Sequence, residues 1–112
     1  MVNAFRQGDI VFLDFDPQSG HEQKGRRPAL VVSNGLFNRF SSLTMVCPIT
    51  HTDRRHPFHI RLEGTEKIDG VVLCDQARML DLNARNAVFA EHAPVPVVAE
   101  AVDLITGFTE MK

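Results

Sequence analysis

Only one stretch of this chain carries a sustained helical stripe. From Pro94 and Pro96 onward, Val98, Val102 and Ile105 share a face with Val97, Ala101, Leu104 and Phe108, the i, i+3, i+4 spacing of an amphipathic helix. Proline suits a helix's first turn, where its missing amide hydrogen costs little, and Gly107 marks the fraying end. Before residue 94 the chain holds short runs of β-formers separated by polar segments, with no repeats and no low-complexity stretch. That pattern predicts one domain, residues 1–112, mainly β with short helices: a small, mostly antiparallel β-barrel with a C-terminal helix packed on it.

The strands follow from the runs and their stops. Ile10 to Phe15 is apolar and ends at Asp16-Pro17, a turn signal. Residues 16–26 form a long polar loop with two glycines. Residues 27–33 are apolar on both faces, so this strand should be central. Ser33 or Asn34 can cap a short helix carrying Leu36, Phe37 and Phe40. A third strand runs from Thr44 to Thr50, and Pro48 within it predicts an edge or a bulge. Pro57 to Leu62 alternates Phe58, Ile60 and Leu62 against His59 and Arg61, as a half-exposed strand does. Residues 70–76 form a fifth strand with Asp75 inside it, 80–86 a turn, and 87–90 a last short strand.

Composition bounds the function. No apolar run approaches the ~20 residues that span a bilayer, and the first seven residues lack a signal peptide's apolar core. The expected compartment is the cytoplasm. A formal net charge of −2 argues against coating nucleic acid by bulk attraction. Basic residues nonetheless cluster, at Lys24, Arg26 and Arg27 and again at Arg54, Arg55, His56, His59 and Arg61, while acids gather at Glu63, Glu66, Asp69 and towards the C-terminus. Cys47 and Cys74 read as buried, reduced thiols. A disulfide would need neighbouring strands to bring them together. The absence of a paired Cys/His spacing argues against zinc.

The loop at 20–28, Gly-His-Glu-Gln-Lys-Gly-Arg-Arg-Pro, is the densest set of reactive groups. It offers a base in Glu22, an acid or base in His21 and a fixed cation in Arg27. RNA self-cleavage needs little else: a base takes the 2′-OH proton, the oxygen attacks the adjacent phosphate, cations stabilise the developing charge, and an acid protonates the 5′-oxygen leaving group. A positioned acid or base contributes roughly 10²–10⁴-fold, and arginine's planar fork matches phosphate. If strands 27–33 and 44–50 pair antiparallel, Arg27 faces Thr50, setting a hydroxyl donor beside a guanidinium. Asp75, in an apolar run, should be paired or functional. Taken singly, each has an ordinary role: a solvated acid, a surface ion pair, a β-branched strand residue, or for Asp75 an ion pair with Arg78 or Arg85.

Ordered blocks of sequence add to this. Gly8-Asp9-Ile10-Val11, Asp14-Phe15-Asp16-Pro17, Gly20-His21-Glu22-Gln23, Gly25 and Arg27 to Ser33 are followed by Phe37-Asn38, Pro48-Ile49-Thr50, Gly70 to Leu73, Asp75-Gln76, Arg78, Asp81 and Ala84-Arg85. From about residue 7 to 86 the chain resembles the MazF/PemK/Kid toxins, with a spelling nearer the Kid/PemK and ChpB branch. The resemblance implies an SH3-like toxin barrel. It implies sequence-specific cleavage of single-stranded RNA, mostly mRNA, to 2′,3′-cyclic phosphate and 5′-hydroxyl ends, without metal or cofactor. It also implies a homodimer and a MazE/PemI-like antitoxin whose acidic tail blocks the site. Carried over by position, Glu22 is the base, Arg27 the phosphate cation and a candidate proton donor, and Thr50 the group steadying the phosphate. His21, Gln23, His51, Asp75, Gln76, Arg78 and Arg85 are secondary RNA contacts. The Kid branch pairs an aspartate base with an arginine two residues before it; Asp75 is present, but Leu73 stands in the arginine's place. Two other classes remain open, a non-enzymatic CcdB-like gyrase-binding toxin and a plain nucleic-acid-binding barrel. The lack of Tyr and Trp counts against the latter.

Overall fold

The structure, a computed structural model, describes residues 5–15 and 26–112. The elements are β1 (Asp9–Asp14), β2 (Arg26–Val31), α1 (Gly35–Phe40), β3 (Thr44–Thr50), β4 (His59–Arg61), β5 (Val71–Leu73), β6 (Arg78–Leu80), β7 (Val88–His92) and α2 (Val95–Phe108). The strands form one antiparallel sheet in the order β4-β5-β3-β2-β1-β7, with β6 pairing the start of β3. The order has two ends, β4 and β7, and no pairing among the described residues joins them. The sheet is barrel-like but open.

Two cores explain why β1, β2 and β3 read as unbroken apolar runs. Ile10, Leu30, Cys47, Ile49, Ile60 and Val72 pack under Val97 and Ala101 of α2. On the other face Val11, Leu13, Ala29, Val31 and Val46 pack with Leu80 and Leu82. A strand buried on both faces has no reason to alternate. Cys47 and Cys74 lie buried and free, and their thiols interact with each other. That interaction, with burial, pushes the Cys47 thiol above the usual range.

Several expectations need correction. Pro48 marks neither an edge nor a bulge: β3 pairs β2 along one side, and β6 and β5 along the other. Pro48 falls between the residues that pair β6, Thr44 to Val46, and those that pair β5, Ile49 and Thr50. The missing amide hydrogen is tolerated at that gap. Helix α1 is capped by Asn34, whose side chain accepts the Phe37 amide at 2.9 Å. Yet it buries Asn38 and leaves Leu36 and Phe40 exposed at 66% and 80%. Asn38 is the residue that ties the helix down, donating to the Phe5 and Ser33 carbonyls while accepting from the Ser33 hydroxyl.

The fifth strand is shorter than expected, because the chain turns through a 3₁₀ turn at Cys74–Gln76 and re-enters the sheet as β6. Asp75 therefore sits in that turn, not within a strand. The last strand begins at Val88 rather than 87 and runs to His92.

Candidate functional site

The β2–β3 ladder pairs Ala29 with Pro48, Leu30 with Cys47 and Val31 with Val46. The same register, carried on to the ends of both strands, sets Arg27 level with Thr50. On its other side Thr50 pairs with Val71. This approach requires Gly70: its φ is 129°, and a Cβ there would strike the Thr50 carbonyl. Thr50 is half-buried, and its hydroxyl oxygen accepts the Thr52 amide at 3.3 Å; the O–H has no acceptor among the described residues. Arg27 is exposed and has no hydrogen bond or ion pair among the described residues.

Arg26 is different, because successive strand side chains point to opposite faces. It donates to Asp14 at 3.1 Å and to the Asn86 carbonyl at 2.8 Å. The Asn86 amide also donates to Asp14, at 2.9 Å. That amide first, and Arg26 second, hold the Asp14 carboxyl below the usual range. Arg26, counted with Lys24 and Arg27 in one basic cluster, is thus a latch between β1, β2 and the turn before β7.

The other sequence-derived candidates scatter over the surface. Arg85 donates to the Asp14 and Phe15 carbonyls at 3.2 and 2.5 Å, so its guanidinium holds the end of β1. Arg78 stands 5.6 Å over the Phe15 ring, an ordinary cation–π distance. His51 pairs with Asp69 at 3.3 Å, both exposed. Gln76 is exposed beside Asp75. Asp75 pairs with neither Arg78 nor Arg85; its partner is His59, Nε2 to Oδ1 at 3.1 Å. His59, expected on the solvent side of β4, keeps a side chain only 9% exposed, while Phe58 faces out to meet Phe108 edge-on at 4.9 Å. Glu22, His21 and Gln23 lie outside the described residues.

Sequence reasoning also passed over Glu91. Its carboxylate accepts the amides of Glu66, Lys67 and Ile68 at 2.7–2.9 Å, fixing the loop between β4 and β5. Burial raises its pKa, but those three donors outweigh it and hold the group below the usual range. No local pattern marks such a residue, since its partners lie 23 to 25 positions away.

This sheet with a C-terminal helix, and arginine and threonine aligned at one end, defines a class also found by comparison. Residues 6–106 match the family described as PemK-like, MazF-like toxin of type II toxin-antitoxin system, and the chain belongs to that family. Endoribonuclease toxin ChpB of Escherichia coli is 47% identical over 105 residues, covering 89% of this chain and 90% of its own length. The crystal structure of MazF from Deinococcus radiodurans superposes with a TM-score of 0.83 at 39% identity, covering 99% of both chains. A MazE-MazF crystal structure from the same organism gives 0.82 at 34%, covering 100% of this chain and 99% of that one. Among the described residues no helix is long and apolar enough to cross a membrane.

Proposed function

We propose that this chain is the toxin of a type II toxin–antitoxin pair, an endoribonuclease that cuts single-stranded RNA, chiefly mRNA, at specific sequences to 2′,3′-cyclic phosphate and 5′-hydroxyl ends. The observation that carries the reading is the exposed Arg27 guanidinium, without a partner among the described residues, level with the Thr50 hydroxyl and five positions after Glu22 in sequence. Glu22 takes the 2′-OH proton, the 2′-oxygen attacks the adjacent phosphorus, and the P–O5′ bond breaks as Arg27 gives the leaving 5′-oxygen a proton. Arg27 binds the phosphate through two donors as negative charge develops on its oxygens, and Thr50 Oγ1–H donates a third hydrogen bond. His21, Gln23, His51, Asp75, Gln76 and Arg78 contact the flanking nucleotides. Arg85, whose guanidinium serves the β1 carbonyls, contributes at most an outward N–H.

The relatives' names support both partners. ChpB is called an endoribonuclease toxin, and the Deinococcus MazF was crystallised with MazE; a MazE/PemI-like antitoxin is the partner proposed for this chain. A homodimer is supported by the apolar Leu36, Phe37, Phe40 and Leu43 left exposed around α1, more than an isolated surface residue or two. The cytoplasm, where mRNA lies, is the compartment.

Incubation of purified protein with a long RNA, with and without EDTA, tests the reaction. Cleavage at discrete sites that persists in EDTA is expected. Intact RNA favours a protein-binding toxin, and loss of cleavage on chelation overturns the metal-free chemistry.

A further inference from the structure

Across β5 from Thr50 lies a group of side chains that the cleavage scheme does not need as a unit. One ring nitrogen each from His56 and His59 and one carboxylate oxygen of Asp75 lie within 4.8 Å of one another. Two local structures bring them together. His56 to His59 form a turn closed by the His59 amide on the His56 carbonyl at 3.0 Å, with Pro57 at its second position. The two imidazoles stack there, centroids 4.5 Å apart. His59 is then level with Leu73 in the β4–β5 ladder. The 3₁₀ turn after Leu73, held by the Cys74 amide on the Phe58 carbonyl, returns Asp75 to the Nε2 edge of the His59 ring.

The hydrogen bonding of this cluster is incomplete. His59 is more than nine-tenths buried, with Nε2 on Asp75, and its Nδ1 is buried with no partner among the described residues. His56 holds its ring by accepting the exposed Phe58 amide at Nδ1, 3.1 Å away. A cation taking that lone pair would release the amide to water.

We propose that His56, His59 and Asp75 form a binding site for a zinc-class divalent cation. Two imidazoles and one carboxylate are a donor set for Zn²⁺ and its first-row neighbours. Mg²⁺ and Ca²⁺ prefer oxygen ligands alone. Three protein ligands leave a fourth tetrahedral position for water. With metal–ligand bonds of about 2.0–2.1 Å, neighbouring donors on zinc sit about 3.4 Å apart. The His59–Asp75 edge, at 3.1 Å, already has that span, and the exposed His56 turn closes the remainder. A bound cation clips the loop before β4 to the turn after β5. The sequence argument against zinc, based on paired spacing, misses this site because the third donor is 16 residues from His59.

The test is read without RNA, so its outcome is independent of the cleavage reaction. Chelator-stripped full-length protein is titrated with Zn²⁺ against a chromophoric chelator, with Mg²⁺ as a parallel arm. One Zn²⁺ per chain is expected. His56→Ala and Asp75→Asn, both at exposed positions and checked for native circular dichroism, should each weaken it by about tenfold or more. Co²⁺ in place of Zn²⁺ should give the visible absorption of a tetrahedral site. Substoichiometric uptake, affinity unchanged in both variants, or equal affinity for Mg²⁺ overturns the proposal.

Discussion

Arg26 and Arg27 are neighbours in sequence but belong to two unlike regions. On the Arg26 side polar groups satisfy one another: Arg26 and Asn86 meet on Asp14, and Arg85 meets the β1 carbonyls. On the Arg27 side a guanidinium and a hydroxyl stand level across two strands, their donors unclaimed among the described residues. The difference is one of function against stability. A saturated cluster stabilises the sheet and offers nothing to a ligand, whereas unsatisfied donors held at fixed spacing are what an incoming phosphate requires.

The most direct way to break the comparison is to remove each arginine. Arg27→Ala should lower the RNA cleavage rate by roughly 10²–10³-fold, the usual effect of losing one preorganised donor, with an unchanged thermal midpoint. Arg26→Ala should do the reverse, lowering the midpoint by a few degrees while cleavage persists at temperatures where it stays folded. A matched loss of activity and stability in both variants would erase the distinction. Gly70→Ala comes next. It forces a side chain into a left-handed backbone position against the Thr50 carbonyl and should cost about 1–3 kcal/mol in denaturant unfolding. Cleavage should fall too, because the shift is centred on Thr50.

The smallest effect is in acid. Asp14 has a folded-state pKa held down by Asn86 and Arg26. Its contribution is therefore full above the unfolded carboxylate value, roughly 4, and is lost as pH falls through the lower folded value. The midpoint difference between wild type and Asp14→Asn should be present at neutral pH and close below about pH 4. A difference that stays constant with pH would remove the charged latch from the account.

Parts of this were legible beforehand because they are local. The span of β3 from Thr44 to Thr50 and the stripe of α2 follow from periodicity and its stops. Two adjacent antiparallel strands with known ends have one simple register, and that register sets Arg27 level with Thr50. Helix α1 and its Asn34 cap were legible, but not its anchor, the polar Asn38 with three hydrogen bonds to groups that only the folded chain brings near. Strand β6 was missed because three residues carry no period.

The sequence by itself determined the antiparallel sheet, the single long helix and the family, all of which rest on short-range pattern and ordered motif. Tertiary structure alone decided which polar groups meet. Arg26 finds the Asn86 carbonyl 60 residues away, Asn86 finds Asp14 at 72, and His59 turns inward to Asp75 at 16. The physical reason is that side-chain partnership is set by which strand ends the sheet brings level and by what the core leaves room for. Neither is encoded in the residues adjacent to the one that bonds.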